Sequence, residues 1–278
     1  MSEWTVADAA VHVRVPTAAD DKYSRGVLGV MTGSERYPGA AVLGVEAALR
    51  TGVGMLRYLG PDRPTDLVLH RRPEVVTVPG RVQAWLLGSG MDVAEDSGNG
   101  ETTERMRAAL ESGVPVVLDA GALELLPLAV GPTIITPHAG ELARLLGVRR
   151  EEVAADPERW AREAATSLNT TVLLKGHTTR VLAGGEGGAG QTLYRVTAAP
   201  SWLATAGAGD ALGGILGALV ATHADLIEID DHALVRLGAT AALIHGLAAT
   251  RAGAGGPFTV LDLVAAIPAT IAGMLAGR

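Results

Sequence analysis

The sequence has no cysteine and few aromatic side chains. Among its 278 residues there is no Cys, and only 3% are Phe, Trp or Tyr. The absence of cysteine excludes disulfide bonds, thiolate nucleophiles and Cys-ligated metal sites. The hydrophobic core must therefore consist of Ala, Val, Leu and Ile, and the 36 glycines allow close contacts between elements. Because 48% of the residues are hydrophobic, a stable core is expected.

Clustered positive charge and long apolar runs are also lacking. The formal net charge is −7, and no basic stripe is visible, which argues against nucleic-acid binding. The start, Met1-Ser2-Glu3-Trp4, lacks the basic and apolar regions of a signal peptide. No apolar run reaches about 18 residues without a charge, Gly or Pro, so no membrane span is expected. These features predict a cytoplasmic protein.

Lysine is scarce as well. Of the 23 cationic side chains, only Lys22 and Lys175 are lysines. A lysine that persists in such an arginine-rich chain suggests a position that needs a compact ammonium group. Chance remains an alternative for each of the two residues.

Hydrophobic patterns predict an alternation of strands and helices. Strands are predicted at 26–31, 55–59, 75–78, 84–87, 114–119, 133–136, 171–174, 179–183 and 192–196. Helices are predicted at 40–50, 101–111, 141–146, 158–168, 210–221, 232–250 and 261–275. The glycine-rich segment 184–190 is predicted to be a hairpin loop between the last two strands.

This alternation predicts an α/β protein with a mainly parallel sheet covered by helices on both faces, a three-layer α/β/α sandwich. No internal repeat or long linker divides the chain, so residues 1–278 are interpreted as one domain with 1–25 as an N-terminal extension. Ligands are expected at the carboxyl ends of the strands.

The strongest functional pattern is the run 204–215, which introduces the predicted helix 210–221. Small residues, including Gly207 and Gly209, leave backbone N–H groups open at the helix start, where an anion can bind. Asp210 lies in the first turn, where its carboxylate could take a proton from a hydroxyl attacking phosphorus. The alternative is a helix cap beside a tight turn. Further glycines within the helix favour the functional interpretation. Each glycine destabilises a helix, so it is expected there only where other backbone or a ligand approaches closely.

Two further segments follow predicted strands. Lys175, at the end of the apolar strand 171–174, begins a run of candidate nucleotide contacts: Lys175, Gly176, His177, Thr178 and Thr179. A strand-end lysine in an ordinary hairpin is the alternative. His138 and Glu141 lie between the strand 133–136 and the next helix. They are a candidate substrate contact and a candidate metal residue, or else a structural histidine and a first-turn glutamate favoured by the helix dipole.

Together these segments resemble one enzyme family. The run Ala206-Gly207-Ala208-Gly209-Asp210 resembles the glycine–aspartate motif of the ribokinase-like superfamily, and 201–210 resembles its ADP/ATP-dependent NAD(P)H-hydrate dehydratases. Further segments match in order from Lys22 onward: Gly33-Ser34, Pro38-Gly39-Ala40-Ala41, Gly88-Ser89-Gly90, Leu118-Asp119-Ala120, Thr136-Pro137-His138-Ala139-Gly140-Glu141 and Lys175-Gly176-His177-Thr178-Thr179.

The resemblance implies a ribokinase-like fold without a separate lid domain. It implies Asp210 as the base that deprotonates the hydroxyl of hydrated NADH or NADPH, with Ala40, Gly90 and His138 as further substrate contacts. It implies ADP or ATP as co-substrate. The nucleotide contacts would be Lys175, Gly176, His177, Thr178, Thr179, Gly207 and Gly209. Mg²⁺ would be organised by Glu141 through water.

Some features depart from the family pattern. Ser89 stands where Pro is usual, Gly121 replaces an acidic residue, and 197–202 replaces an Asn-rich segment. Asp119 is either a structural cap or a residue lining the site. Because only about 25 residues precede Gly26, no epimerase-like domain is expected before the dehydratase-like region. The resemblance also implies a homo-oligomer such as a tetramer, and the sequence does not distinguish ADP from ATP.

Two other functions fit the sequence. One is a small-molecule kinase of the same superfamily, acting on a thiazole or pyrimidine alcohol. The other is a non-catalytic nucleotide-binding protein.

Overall fold

The computed structural model describes residues 2–91, 100–184 and 192–277. In this part of the chain, nine strands form one sheet in the order β1-β9-β8-β7-β6-β5-β4-β2-β3. Their bounds are β1 Ser2–Glu3, β2 Val27–Met31, β3 Met55–Tyr58, β4 Ala84–Leu87, β5 Val116–Leu118, β6 Thr133–Ile135, β7 Thr171–Leu174, β8 Thr179–Leu182 and β9 Leu193–Val196. Neighbours pair in parallel except β7 with β8 and β8 with β9.

Helices cover both faces of the sheet. They are α1 Val6–Ala10, α2 Gly39–Thr51, α3 Asp62–Arg71, α4 Gly100–Glu111, α5 Ala139–Leu146, α6 Arg150–Ala155, α7 Pro157–Ser167, α8 Ala208–Thr222, α9 Ala224–Ile227, α10 Ala233–Gly253 and α11 Val260–Ala276. Two 3₁₀ segments, Ala120–Leu128 and Ser201–Leu203, complete the fold. Their arrangement confirms the predicted three-layer α/β/α class.

Successive strand residues serve two separate cores. Leu86 of β4 packs in the core that includes α8 and α10, whereas its neighbour Leu87 packs in the core that includes α5 and α7. Because side chains alternate across a strand, a strand with a helical layer on each face needs apolar residues at every position. The continuously apolar strands in the sequence have this cause.

The N-terminal segment contributes to the fold in a way that the sequence did not indicate. Strand β1 pairs with β9 at the edge of the sheet, and Trp4 is buried, with its indole N–H donating to Thr240 at 3.2 Å. Helix α1 packs against α10 and α11. Much of the predicted extension is therefore integrated into the sheet and its helical layer.

The prediction of a strand at 75–78 was wrong. Only Val76 pairs, through an isolated bridge to Arg57. Prolines at 73 and 79 flank the segment, and a proline cannot donate to a sheet ladder. The predicted hairpin loop 184–190 lies, apart from Gly184, outside the described residues, although the strands on either side of it do pair antiparallel.

Helix α10 is long and apolar enough to cross a membrane, but 83% of its most apolar window is buried inside the protein. It packs against α8, α11 and the sheet, as the central helix of a core does. The other described helices do not meet the criterion for a membrane span.

Candidate active site

Four polar side chains follow four neighbouring parallel strands at one edge of the sheet. Ser89, Asp119, Thr136 and Lys175 come one or two residues after the ends of β4, β5, β6 and β7. The carboxyl ends of adjacent parallel strands lie side by side, so residues far apart in sequence meet there. This group, the strand-end network, has Asp119 at its centre.

The Asp119 carboxylate is buried and accepts three hydrogen bonds. It accepts hydrogen bonds from Lys175 Nζ at 2.7 Å, Thr136 Oγ1 at 2.7 Å and Ser89 Oγ at 2.9 Å. Burial alone would raise its pKa, but the Lys175 ammonium and these hydrogen bonds lower it below the ordinary value. Asp119 is thus an ionised carboxylate whose geometry is fixed.

Lys175 occupies a matching position. Its ammonium lies 2.7 Å from Asp119 and 3.8 Å from Glu141 Oε2. Burial would lower its pKa, yet Asp119, Glu141 and Asp210 together raise it. The side chain therefore stays charged and keeps a fixed position beside the start of α8, where a Cβ added at Gly209 would lie 3.6 Å from Nζ.

Asp210 lies in the first turn of α8, as predicted. Within the described part of the chain, no group donates a hydrogen bond to its carboxylate. Burial and the negative charge of Asp119 raise its pKa to about 7, against the opposing effect of Lys175. A carboxyl group whose pKa lies near neutrality can act as a general base at physiological pH.

The helix start itself is built by Gly207. This residue is the N-cap of α8 with φ +89°, a left-handed conformation that favours glycine. A Cβ added there would lie 2.5 Å from Leu43 Cδ1 and 3.9 Å from Asp210 Oδ2. Gly207 is therefore required by both its backbone conformation and the packing of α2.

The glycines within α8 have a different origin. A Cβ added at Gly214 would lie 2.1 Å from the carbonyl oxygen of Gly44, and one at Gly217 would lie 3.1 Å from Leu28. These glycines let α2 and the sheet approach the helix backbone. Their presence near Asp210 therefore reflects helix packing rather than a bound ligand.

A cleft of about 650 Å³ opens beside this helix start. Most of the predicted nucleotide contacts line it: Lys175, Gly176, His177, Thr179 and Gly209. Thr178 instead lines a neighbouring pocket of about 330 Å³, which Lys175, Gly176 and His177 line as well. Asp210 and Gly207 are not in the cleft lining, but their chain neighbours Gly209 and Ala208 are.

Two of the predicted substrate contacts, Ala40 and Gly90, are not among the residues that line this cleft. Gly90, with φ +67°, packs on Ala40 so closely that an added Cβ would lie 2.3 Å from Ala40 Cβ. Ala40 is in the first turn of α2, the helix that packs against α8. The two residues thus form a tight contact between the loop after β4 and the start of α2.

His138 and Glu141 form a capping box on α5. His138 Nδ1 accepts from the Gly140 and Glu141 N–H groups at 3.0 and 3.2 Å, and Glu141 Oε2 accepts from the His138 N–H at 2.8 Å. This is the structural alternative weighed for both residues. The His138 ring is exposed, its Nε2 lies 3.5 Å from Glu141 Oε1, and the residue lines both the 650 Å³ cleft and a pocket of about 210 Å³ shared with Glu141.

The residues at the site suit a cation bound through water molecules better than one coordinated by several protein ligands. No group of three or more His, Asp or Glu side chains suited to a metal occurs among the described residues. Mg²⁺ in phosphoryl-transfer enzymes often uses few protein ligands and keeps several waters. Glu141 Oε2 accepts one backbone hydrogen bond and lies 3.8 Å from Lys175 Nζ, and Oε1 lies 3.5 Å from His138 Nε2. The carboxylate keeps lone pairs that can accept from such waters.

Comparison with known proteins agrees with this geometry. A family described as NAD(P)H-hydrate dehydratase matches residues 28–265. The chain belongs to the NAD(P)H-hydrate dehydratase family. The "Bifunctional NAD(P)H-hydrate repair enzyme Nnr" of Mycobacterium tuberculosis is 41% identical over 227 residues, which cover 77% of this chain and 45% of that protein. This chain therefore aligns with less than half the length of that bifunctional relative.

Other members of the dehydratase family align over most of the chain. The "ADP-dependent (S)-NAD(P)H-hydrate dehydratase" of Neisseria meningitidis is 32% identical over 289 residues, covering 96% of this chain and 87% of that protein. The crystal structure of the Bacillus subtilis ADP/ATP-dependent NAD(P)H-hydrate dehydratase, co-crystallised with ATP and Mg²⁺, matches with a TM-score of 0.82. That match is 23% identical and covers 98% of both chains, so it supports the fold.

One cleft residue was missed by sequence reasoning. His245 of α10 lines the 650 Å³ cleft, although it lies within an Ala-rich helix far from any recognised motif. Its only sequence signal is a lone imidazole in an otherwise apolar run. Ser89 and Thr136 were quoted within motifs but not as partners of Asp119, which only the spatial arrangement reveals.

Proposed function

We propose that this protein converts hydrated NADH or NADPH back to the reduced cofactor, using ADP or ATP as the phosphoryl donor. The observation that carries this proposal is the meeting of Asp210, with its pKa near 7, and the charged Lys175 at the start of α8 beside a large cleft. A base and a phosphate-binding cation are the two groups that phosphoryl transfer to an alcohol requires.

In this proposal Asp210 takes the proton from the 6-hydroxyl of the hydrate as its oxygen attacks the terminal phosphorus. The bond between that phosphorus and the nucleotide breaks, and the nucleotide leaves one phosphate shorter. Phosphate then leaves the ring with the C–O electron pair, driven by the ring nitrogen. Loss of a proton from the neighbouring ring carbon restores the double bond of the reduced cofactor.

The nucleotide lies in the 650 Å³ cleft in this proposal. Lys175 and the backbone N–H groups at the start of α8 hold its phosphates, since a helix N-terminus and an ammonium group both favour anions. Gly176, His177 and Thr179 follow Lys175 in and after the turn before β8 and hold the nucleotide, whereas Thr178 faces the neighbouring pocket. Mg²⁺, when bound near Glu141, neutralises phosphate charge.

In this proposal the hydrate approaches from the side of Ala40 and Gly90. His138 then lies between the hydrate and the nucleotide cleft. Hydrogen bonding within the capping box leaves His138 Nδ1 as an acceptor, so a neutral ring carries its proton on Nε2, which lies 3.5 Å from Glu141 Oε1. In this proposal that N–H turns from Glu141 to donate to the substrate.

The test is incubation of the purified protein with hydrated NADH plus ADP, and separately ATP. Recovery of the absorbance of the reduced cofactor together with inorganic phosphate supports the proposal. A stable phosphorylated alcohol formed from a thiazole or pyrimidine substrate, without cofactor recovery, would instead support the kinase alternative. Nucleotide binding without turnover on any of these substrates would support the non-catalytic alternative.

The cytoplasmic location, the homo-oligomeric state and the preference between ADP and ATP stay predictions. The Neisseria relative is named as ADP-dependent, which favours ADP as the first nucleotide to assay.

A further inference from the structure

Tyr37 is an exposed aromatic residue on the loop between β2 and α2. It is 52% exposed, and the Arg36 guanidinium lies over one face of its ring, 5.2 Å from the centroid. The cation covers that face and leaves the opposite face open to a ligand. A single exposed ring is ordinary on a protein surface, so its meaning depends on where the loop holds it.

Two hydrogen bonds hold the loop 32–38 that carries this ring. The Tyr37 N–H donates to Ser34 Oγ at 3.1 Å. The Arg63 guanidinium donates to the Glu35 carbonyl oxygen at 2.7 Å. The exposed ring therefore projects from a loop whose backbone is already fixed, which lowers the entropic cost of ordering it against a ligand.

Helix α2 connects this loop with the start of α8. The Asp210 carbonyl oxygen lies 3.4 Å from a Cβ added at Gly44, within α2. Ala40 precedes Gly44 by about one helical turn, and its N–H donates to the Tyr37 carbonyl oxygen at 3.3 Å. Tyr37 therefore lies roughly 11 Å, or two helical turns, before Gly44. A nicotinamide ring with its ribose has a comparable span.

Tyr37 also adjoins the loop after β4. Its carbonyl oxygen lies 3.2 Å from a Cβ added at Gly90, and Ala40 Cβ lies 2.3 Å from the same point. Tyr37 is thus next to both Ala40 and Gly90, the two residues from whose side the hydrate approaches in the proposed function.

We propose that the Tyr37 ring covers one face of the nicotinamide riboside half of the hydrate when its 6-hydroxyl lies at Asp210. The conjugated enamide part of the hydrated ring is planar, and planar π systems pack on aromatic rings in an offset arrangement. Arg36, on the far face, supports the ring in this orientation. This assignment rests on the proposed function, because it requires the hydrate as substrate. Tyr37 binds the substrate in this assignment and takes no part in proton transfer.

Steady-state kinetics with hydrated NADH and ADP test the assignment. Tyr37→Leu removes the ring but keeps an apolar side chain, and it should raise KM for the hydrate about fivefold, the scale of one aromatic contact. The values of kcat and of KM for ADP should not change, because the lost contact is made equally before and during the reaction. Tyr37→Phe keeps the ring and should retain the wild-type KM.

Tyr23 is the matched control. It is 48% exposed, and the Lys22 ammonium lies 5.1 Å from its ring centroid. Gln83, just before β4, donates to the Tyr23 carbonyl oxygen at 3.0 Å, which places Tyr23 at the amino ends of the strands. Ligands of parallel sheets bind at the opposite edge. Tyr23→Leu should therefore leave KM for the hydrate unchanged, and an equal increase in both Leu variants would overturn the role of Tyr37.

A shorter substrate locates the contact. The hydrate of reduced nicotinamide mononucleotide lacks the adenosine half, so the increase in KM caused by Tyr37→Leu should persist with it. An increase that disappears with this substrate would place the ring against the adenosine half and overturn the assignment.

Further outcomes separate this inference from the proposed function. Unchanged KM for the hydrate in Tyr37→Leu, beside normal turnover by the wild type, would remove the Tyr37 contact alone. A Phe variant as impaired as the Leu variant, or an equal increase in KM for ADP, would also overturn it. Thermal unfolding should give the wild-type Tm for both variants, because the ring is exposed. Absence of hydrate turnover by the wild type with both ADP and ATP would overturn the proposed function, and this inference with it.

Discussion

Two carboxylates at the same edge of the sheet have opposite environments. Asp119, after β5, accepts three hydrogen bonds, one of them from an ammonium group, and its pKa is lowered. Asp210, at the start of α8, is partly buried without such donors among the described residues, and its pKa is raised to about 7. The comparison shows that partners, more than burial, decide which carboxylate stays ionised and which can exchange a proton.

The contrast also suggests a division of roles. A buried carboxylate that accepts three hydrogen bonds holds other groups in place, as Asp119 holds Lys175. A carboxylate with free lone pairs can accept a proton from a substrate, as proposed for Asp210. The separation of acidities between neighbouring groups is a common feature of acid–base sites.

The largest expected effect comes from replacing Asp210, the carboxylate that is proposed to accept the proton. Asp210→Asn should lower turnover of hydrated NADH by at least about 10²-fold, because the amide cannot accept the hydroxyl proton. Binding of ADP should be retained, since its phosphate contacts come from Lys175 and the backbone. Turnover at the wild-type rate in a folded variant would exclude Asp210 as the base.

Replacing Asp119, the carboxylate that holds Lys175, should mainly lower stability. Asp119→Asn leaves the Lys175 ammonium without its main partner, and breaking a buried pair should lower the free energy of unfolding by about 3 kcal/mol. The pH dependence of any remaining activity gives a second measurement. Loss of the Asp119 charge lowers the pKa of Asp210, so the rise of rate with pH, expected near pH 7 in the wild type, should move to lower pH.

Ser89→Ala is the milder control for this variant. It removes one hydrogen bond to Asp119 but leaves the charge pair intact, so stability should fall by about 1 kcal/mol. An unshifted pH profile in Asp119→Asn, measured beside this control, would contradict the electrostatic coupling of the two carboxylates.

The same comparison predicts a pH-dependent stability difference between the wild type and Asp210→Asn. The pKa of Asp210 rises from 3.8 to about 7 on folding, so the folded protein binds the proton more tightly than the unfolded chain. The stability contributed by this proton is full below pH 4 and is lost as pH rises toward 7. Asparagine does not titrate and avoids this loss.

Asp210→Asn should therefore be more stable than the wild type at pH 8, by about 2 kcal/mol after allowance for solvent screening. The two proteins should converge near pH 4. Urea unfolding at several pH values measures the difference, and a constant offset across this range would contradict the raised pKa.

The smallest expected effect concerns His138, which caps α5 through Nδ1 while its ring is exposed at the cleft. His138→Ala should lower the free energy of unfolding by about 1 kcal/mol, because the α5 cap is lost. His138→Asn should retain a cap and so most of the stability. Both variants lack Nε2, so equal weakening of substrate binding in both would separate the substrate role from the capping role.

Local patterns predicted much of the fold because they depend on neighbours in sequence. Strand β7 was predicted at 171–174, where the structure has it, and helix α8 was predicted at 210–221, within its observed range of Ala208–Thr222. Apolar periodicity succeeds here because it indicates which faces of an element are covered. The prediction of a strand at 75–78 was wrong because apolar periodicity does not register the flanking prolines, which cannot donate to a sheet ladder. The N-terminal strand β1 was missed because two polar residues carry no periodicity, and only pairing with β9 defines them.

Scarcity of lysine was an ambiguous signal. Lys175 lies in the strand-end network, but Lys22 is exposed and stacks over Tyr23, with its ammonium 5.1 Å from the ring centroid. Rarity of a residue type therefore indicated one candidate position and one ordinary surface position. Only the three-dimensional surroundings separate the two.

The sequence by itself determined the α/β class, the family and the reactive groups available at the strand ends and at the start of α8. These follow from short-range patterns and side-chain chemistry. The tertiary structure alone decided that Asp119 meets Lys175, that Asp210 has its pKa near neutrality, and that His245 reaches the cleft. Burial and charge proximity depend on distances between segments far apart in sequence, and no local pattern encodes those distances.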